Sequence, residues 1–131
     1  MKTGIVLFAH GSPVQSANDA VHAVTSELER RTGHPVHTGF LECGPPTLQD
    51  ATGKLVDEGV RRIVIAPYFL TMGIHLKRDL PRIVDELRDI YKGVIVEIAE
   101  PLDGHPALLT VLEDRCNQIL YGGSNTASQV D

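Results

Sequence analysis

The sequence predicts an α/β protein, a three-layer α/β/α arrangement around a four-stranded, mainly parallel, doubly wound sheet. Four short apolar runs rich in β-branched residues predict the strands: "GIVLFA" (4–9), "VHTGFL" (36–41), "RIVIAPY" (62–68) and "VIVEIA" (94–99). Helix-period patterns lie between them. The first and third runs are nearly continuous in hydrophobicity, as in strands covered on both faces of a parallel sheet. The order βαβαβαβα then implies helices on both faces, and right-handed crossovers leave few topologies.

The helices follow in order. Val21, Val24 and Leu28 recur at helical spacing and stop at Gly33, a favoured C-terminal residue. Leu48, Ala51, Leu55 and Val56 do the same and stop at Gly59, with Gly53 costing about 1 kcal/mol of propensity in between. Ile83, Val84 and Leu87 mark a third helix ending near Gly93. Its start is open. It begins either at Asp79 or Leu80 with Pro81 in the first turn, or near His75 with an interruption at Pro81. The first choice leaves about eleven residues after strand three, where about 2–6 is usual. A fourth helix opens at Pro106 and carries Leu108, Leu109, Leu112, Cys116 and Ile119.

A chain of 131 residues fits one domain, expected over residues 1–120, with 121–131 read as a flexible tail because it lacks periodicity. Hydrophobic residues make up 42% and charged residues 22%, a globular composition. The net charge of −5 argues against nucleic acid as the main partner, since phosphate binding needs a basic surface. Cys43 and Cys116 make no CxxC pair and no zinc-type spacing, so a reducing cytoplasm is expected. The apolar run after Lys2 breaks at His10, too short for a signal peptide. No segment approaches the ~20 apolar residues of a membrane span.

In an open parallel sheet, ligands bind beyond the carboxyl ends of the strands. His10, Gly11 and Ser12 follow strand one, and Glu42 follows strand two. His75 follows strand three, and Glu100 and His105 follow strand four. The opposite edge receives plain turns. Each residue also has a structural reading. His10 alone is an even choice between a core hydrogen bond and chemistry, and His75 alone reads as a solvated loop residue. Glu42 would serve as a helix cap, and His105, just before Pro106, reads better as a cap than as a site residue. His22, His34 and His37 read as structural or exposed. Two imidazoles and a carboxylate at one edge nevertheless fit an open, exchangeable divalent-metal site. No HExxH helix or cysteine set marks a structural zinc site.

These pieces together resemble a family. "LFAHGS" after the first strand, "FLE" after the second, "PYFLTMGIHLKRDLP" after the third and "EPLDGHPALLTVL" after the fourth stand in the order seen in the short-form class II tetrapyrrole metal chelatases. These are the sirohydrochlorin cobalt, nickel or iron chelatases, and the resemblance spans roughly residues 3–120. It implies that His10 and His75 handle the metal and that Glu42 is their acidic catalytic partner. Short-form members pair two chains to rebuild a cleft, so a homodimer is implied, each chain a chelatase-like half-domain. The family often follows HGS with arginine. Here Pro13 stands instead, which bears on substrate orientation more than on metal chemistry.

The implied reaction inserts a divalent ion, cobalt first with nickel and iron behind, into sirohydrochlorin. The metal is a substrate, so no permanent cofactor is expected, and the absence of GxxxxGK[ST] agrees with an ATP-independent reaction. Lys77 and Arg78, with Arg82, would give a basic rim for substrate carboxylates, and Ser12 would take another. The competing reading is a non-catalytic metal or tetrapyrrole carrier. A histidine phosphatase would place arginine before the histidine, where Ala9 stands, and a flavodoxin-like nucleotide binder would want a richer phosphate loop.

Overall fold

The computed structural model describes residues 1–122. Its elements are β1 (Thr3–Ala9), α1 (Gln15–Thr32), β2 (Val36–Phe40), α2 (Leu48–Asp57), β3 (Arg62–Pro67), α3 (Ile74–Ile90), β4 (Ile95–Ile98) and α4 (Pro106–Leu120). The sheet order is β2-β1-β3-β4, with every pairing parallel. This is the α/β fold the apolar runs predict. The contacts group Met1–Pro101 into one compact unit and Leu102–Asp131 into another. The tail expected over 121–131 lies almost wholly outside the described residues.

Within the first unit, side-chain alternation sorts the strands onto two faces. Val6 and Phe8 of β1, Ile63 and Ile65 of β3 and Val96 of β4 are fully buried with Leu48, Ala51 and Leu55 of α2 and Leu80, Val84 and Leu87 of α3. Full burial of such a side chain contributes roughly 1.5–3 kcal/mol, so this layer supplies most of the unit's cohesion. The other face is more polar under α1. The Thr25 hydroxyl donates to the Val21 carbonyl and sits 2.6 Å from the Thr38 hydroxyl, which meets His22 Nδ1 at 2.9 Å. The His22 ring packs edge-on against Phe40. His37 pairs with Glu58 at 2.9 Å. Both histidines thus have structural partners, as the sequence reading has it.

The helix ends follow local chemistry. Gly33 closes α1 in the left-handed conformation, at φ 73°. Thr47 and Asp50 open α2 through a reciprocal capping box, with bonds of 2.9 and 3.0 Å. Glu42 is therefore not the cap of α2. His105 Nδ1 accepts from the Ala107 backbone at 3.0 Å and caps α4, the role preferred for it from sequence.

The start of α3 resolves the open choice. The helix begins at Ile74 and runs through Pro81 to Ile90. Only residues 68–73 then join β3 to α3, an ordinary length. The long loop that a start at Asp79 or Leu80 requires is not formed. Burial of Leu80, Val84 and Leu87 outweighs the hydrogen bond that Pro81 forfeits.

Candidate functional site

The strand order puts a topological switch point between β1 and β3, because the chain leaves β1 toward β2 and leaves β3 toward β4. Crevices for ligands open at such points. His10 leaves β1 there, and His75 sits in the first turn of α3 after β3. Both line one cavity of about 530 Å³, with Leu41, Phe69, Ile74, Leu76, Asp79, Arg82 and Ile83 among its walls. The cavity is largely apolar, with ionisable groups at a few points.

The loop carrying His10 is held from below. The buried Asn18 side chain accepts from the Ser12 backbone N–H at 2.9 Å and donates to the Ser12 carbonyl at 2.8 Å. The Ser12 hydroxyl accepts from the Val14 backbone at 3.0 Å. Gly11 adopts φ 89°, a region closed to most side chains, and the Glu42 backbone passes directly over it. The Glu42 N–H donates to the His10 carbonyl at 2.9 Å. "HGS" is thus a turn over which the loop after β2 is laid.

That crossing brings Glu42 to His10. Glu42 Oε2 lies 3.2 Å from His10 Nε2, and His10 Nδ1 lies 3.0 Å from the Gly11 carbonyl. A carbonyl only accepts, so Nδ1 carries a proton, and the neutral form of the ring so bonded has its lone pair at Nε2. Nε2 and the carboxylate then face one another at hydrogen-bonding distance, where they can share a proton or bind one cation from the same side. Metal-binding histidines are commonly oriented by such a second bond to backbone.

His75 is placed differently. It shares the cavity, but its Nδ1 meets a side chain and not a carbonyl, lying 3.2 Å from Arg78 Nη2. Arg78 Nε also donates to Asp79 Oδ1 at 3.2 Å. Among the described residues no three His, Cys, Asp or Glu side chains converge as a ready ligand set. Lys77 and Arg78 are not among the residues that line the cavity, which Asp79 and Arg82 join instead. Arg82 is paired with Glu86 at 3.2 Å. Glu100 is exposed, and Cys43 and Cys116 are free and exposed.

Sequence reading missed Asn18 and Asp79. Asn18, His22 and Thr25 fall on one face of α1 at spacings of four and three, and a polar residue on a sheet-facing stripe was the available signal for Asn18. Asp79 becomes visible one turn from His75 only once α3 begins at Ile74.

The CbiX family model matches residues 4–119. The chain belongs to the CbiX family. It is 32% identical over 123 residues to the sirohydrochlorin cobaltochelatase of Sulfurisphaera tokodaii, covering 94% of this chain and 98% of that one. It is 30% identical over 118 residues to the chloroplastic sirohydrochlorin ferrochelatase of Arabidopsis thaliana, covering 89% of this chain and 52% of the relative. Among solved structures, the CbiX protein of Marinobacter aquaeolei superposes with a TM-score of 0.78 at 25% identity, covering 90% and 97% of the two chains. The sirohydrochlorin chelatase SirB of Bacillus subtilis, solved in complex with cobalt, superposes with a TM-score of 0.84 at 24% identity, covering 91% of this chain and 51% of SirB, a likeness of fold. The CbiX chain therefore spans about half the length of the Arabidopsis and Bacillus proteins and nearly all of the other two. No helix among its described residues is long and apolar enough to cross a membrane.

Proposed function

We propose that this CbiX-family chelatase inserts a divalent metal ion into sirohydrochlorin, with cobalt the first choice and nickel and iron behind it. The observation that carries the reading is the His10–Glu42 pair opening on the cavity that also holds His75. The metal is a substrate, and neither a permanent cofactor nor ATP takes part.

Insertion releases two pyrrole protons for each ion taken up. His10 Nε2, pre-aimed by its Nδ1 bond, receives the ion with Glu42 beside it. Neutral imidazole holds a divalent ion well enough to recruit it and yields it to four ring nitrogens. As the ion moves into the ring, Glu42 is freed to accept the pyrrole protons in turn and pass them to water, which its 63% side-chain exposure permits. His75 serves as the second metal-handling imidazole. The apolar walls Leu41, Phe69 and Ile83 suit the macrocycle face, while Arg82 in the cavity wall and Arg78 beside His75, together with Lys77 and the Ser12 hydroxyl, take its carboxylates. A homodimer completes the cleft. The length relation to the Arabidopsis and Bacillus proteins supports that pairing.

The test is direct. Purified protein with Co²⁺ and sirohydrochlorin is expected to produce the metallated ring's absorbance change faster than the spontaneous reaction. Equal rates with and without protein sink the proposal, and tight binding without insertion favours the carrier reading.

A further inference from the structure

The two histidines are not in equivalent states. His10 offers Nε2 with its Nδ1 proton already given to a carbonyl. His75 has Nδ1 engaged by a guanidinium, which has donors and no acceptor. Nδ1 must then be the accepting nitrogen, and a neutral ring so bonded carries its proton on Nε2. Neither nitrogen of His75 offers a free lone pair while Arg78 is in place. For the ring to ligate a metal, Arg78 has to leave.

We propose that Arg78 is a substrate-operated latch on His75: it occupies the imidazole in the empty site and releases it when a substrate carboxylate claims the guanidinium. This rests on the chelatase reading and adds an order of events to it. The direction follows from acceptor strength. A carboxylate accepts a charge-assisted, often bidentate bond from arginine, roughly twice as strong as a bond to a neutral acceptor. A carboxylate-bearing ring therefore outcompetes imidazole for Arg78. Asp79, bonded to Arg78 Nε at 3.2 Å, keeps the guanidinium beside the cavity during the exchange. Arg78 and Asp79 are exposed enough, at 67% and 38% of their side-chain area, for the arginine to swing without unpacking the core.

The consequence is sequential assembly. Before the ring arrives, an ion meets His10 and Glu42 only, and among the described residues no third ligand converges on it. After the ring arrives, His75 is unlatched and the second imidazole becomes available. Arg78 is thus a positioning residue acting through His75. The protein avoids holding the ion in a closed ligand set that the ring could not open.

The experiment titrates Co²⁺ alone into the full chain by calorimetry at fixed pH, without sirohydrochlorin. Arg78→Ala is expected to bind Co²⁺ about two- to tenfold more tightly than the parent, the factor that one ordinary hydrogen bond withholds from a competing ligand. In an Arg78→Ala/His75→Ala double variant the gain should vanish. Arg82→Ala is the charge control, because Arg82 lines the same cavity but is bonded to Glu86. Its gain should be smaller and should survive His75→Ala. Nitrogen-15 NMR of the metal-free protein supplies a second readout: His75 Nδ1 unprotonated in the parent, and a mixture of tautomers in Arg78→Ala. Unchanged Co²⁺ affinity in Arg78→Ala, or a gain that persists without His75, overturns the latch. So does a His75 tautomer indifferent to Arg78. The chelatase reading fails separately, on turnover with sirohydrochlorin.

Discussion

The carbonyl oxygen of Glu42 occupies the space that a Cβ at Gly11 would fill. The contact is between backbone atoms, so neither partner can rotate away, and Gly11 is also at φ 89°. The crossing is what lets Glu42 and His10 meet side by side, with the Glu42 N–H on the His10 carbonyl.

Gly11→Ala should therefore damage stability and site together. The left-handed conformation alone costs about 1–3 kcal/mol for a residue with a side chain, and the overlap adds to it. The expected outcome is a lowered melting temperature and loss of nearly all turnover in the protein that remains folded. A variant that melts like the parent and keeps its rate would show that the loop after β2 does not depend on this approach.

Glu42→Gln separates the carboxylate's two duties. The amide keeps the shape and can still bond to His10, but it takes up no proton. General acid–base groups contribute about 10²–10⁴-fold, so kcat with sirohydrochlorin should fall within that range. Co²⁺ affinity should fall by much less, because His10 remains aimed by its bond to the Gly11 carbonyl. Steady-state rates and calorimetry on the same preparation check the split. An equal loss in both would make Glu42 a ligand with no part in proton removal.

The strands were legible because buried parallel strands leave uninterrupted apolar runs, and "GIVLFA" and "RIVIAPY" mark β1 and β3 within a residue or so. The strand ends alone place His10 and His75 at one edge of the sheet. The pairing of Glu42 with His10 was less legible, since it depends on the path of the 41–46 turn, where Cys43 takes φ 58° and two proline bonds are cis. Pro81 obscured the most. A helix starting near Asp79 leaves His75 and Arg78 in a loop, where their spacing means nothing. Once α3 starts at Ile74, they are i and i+3 on its surface and must be neighbours. The contact that distinguishes His75 from His10 was hidden behind one residue's usual preference.

Pro81 also yields a stability prediction of unusual sign. It is the eighth residue of α3, too deep to be a first-turn proline, and it has no N–H to give the Lys77 carbonyl. Interior proline costs up to about 3 kcal/mol relative to alanine, and its ring crowds the turn before it. The first two turns of α3 precede it and bring His75 and Asp79 to the cavity, while Leu80, Val84 and Leu87 lie in the core. Pro81→Ala restores the missing bond and removes the crowding of the turn that carries Lys77 and Arg78. Its melting temperature should rise by several degrees while turnover falls, because the first turns rotate relative to His10. Thermal melts and initial rates on one preparation test both halves. A melting temperature at or below the parent's, with turnover unchanged, would mean that the surrounding packing has already absorbed the ring and that Pro81 contributes nothing to placing His75.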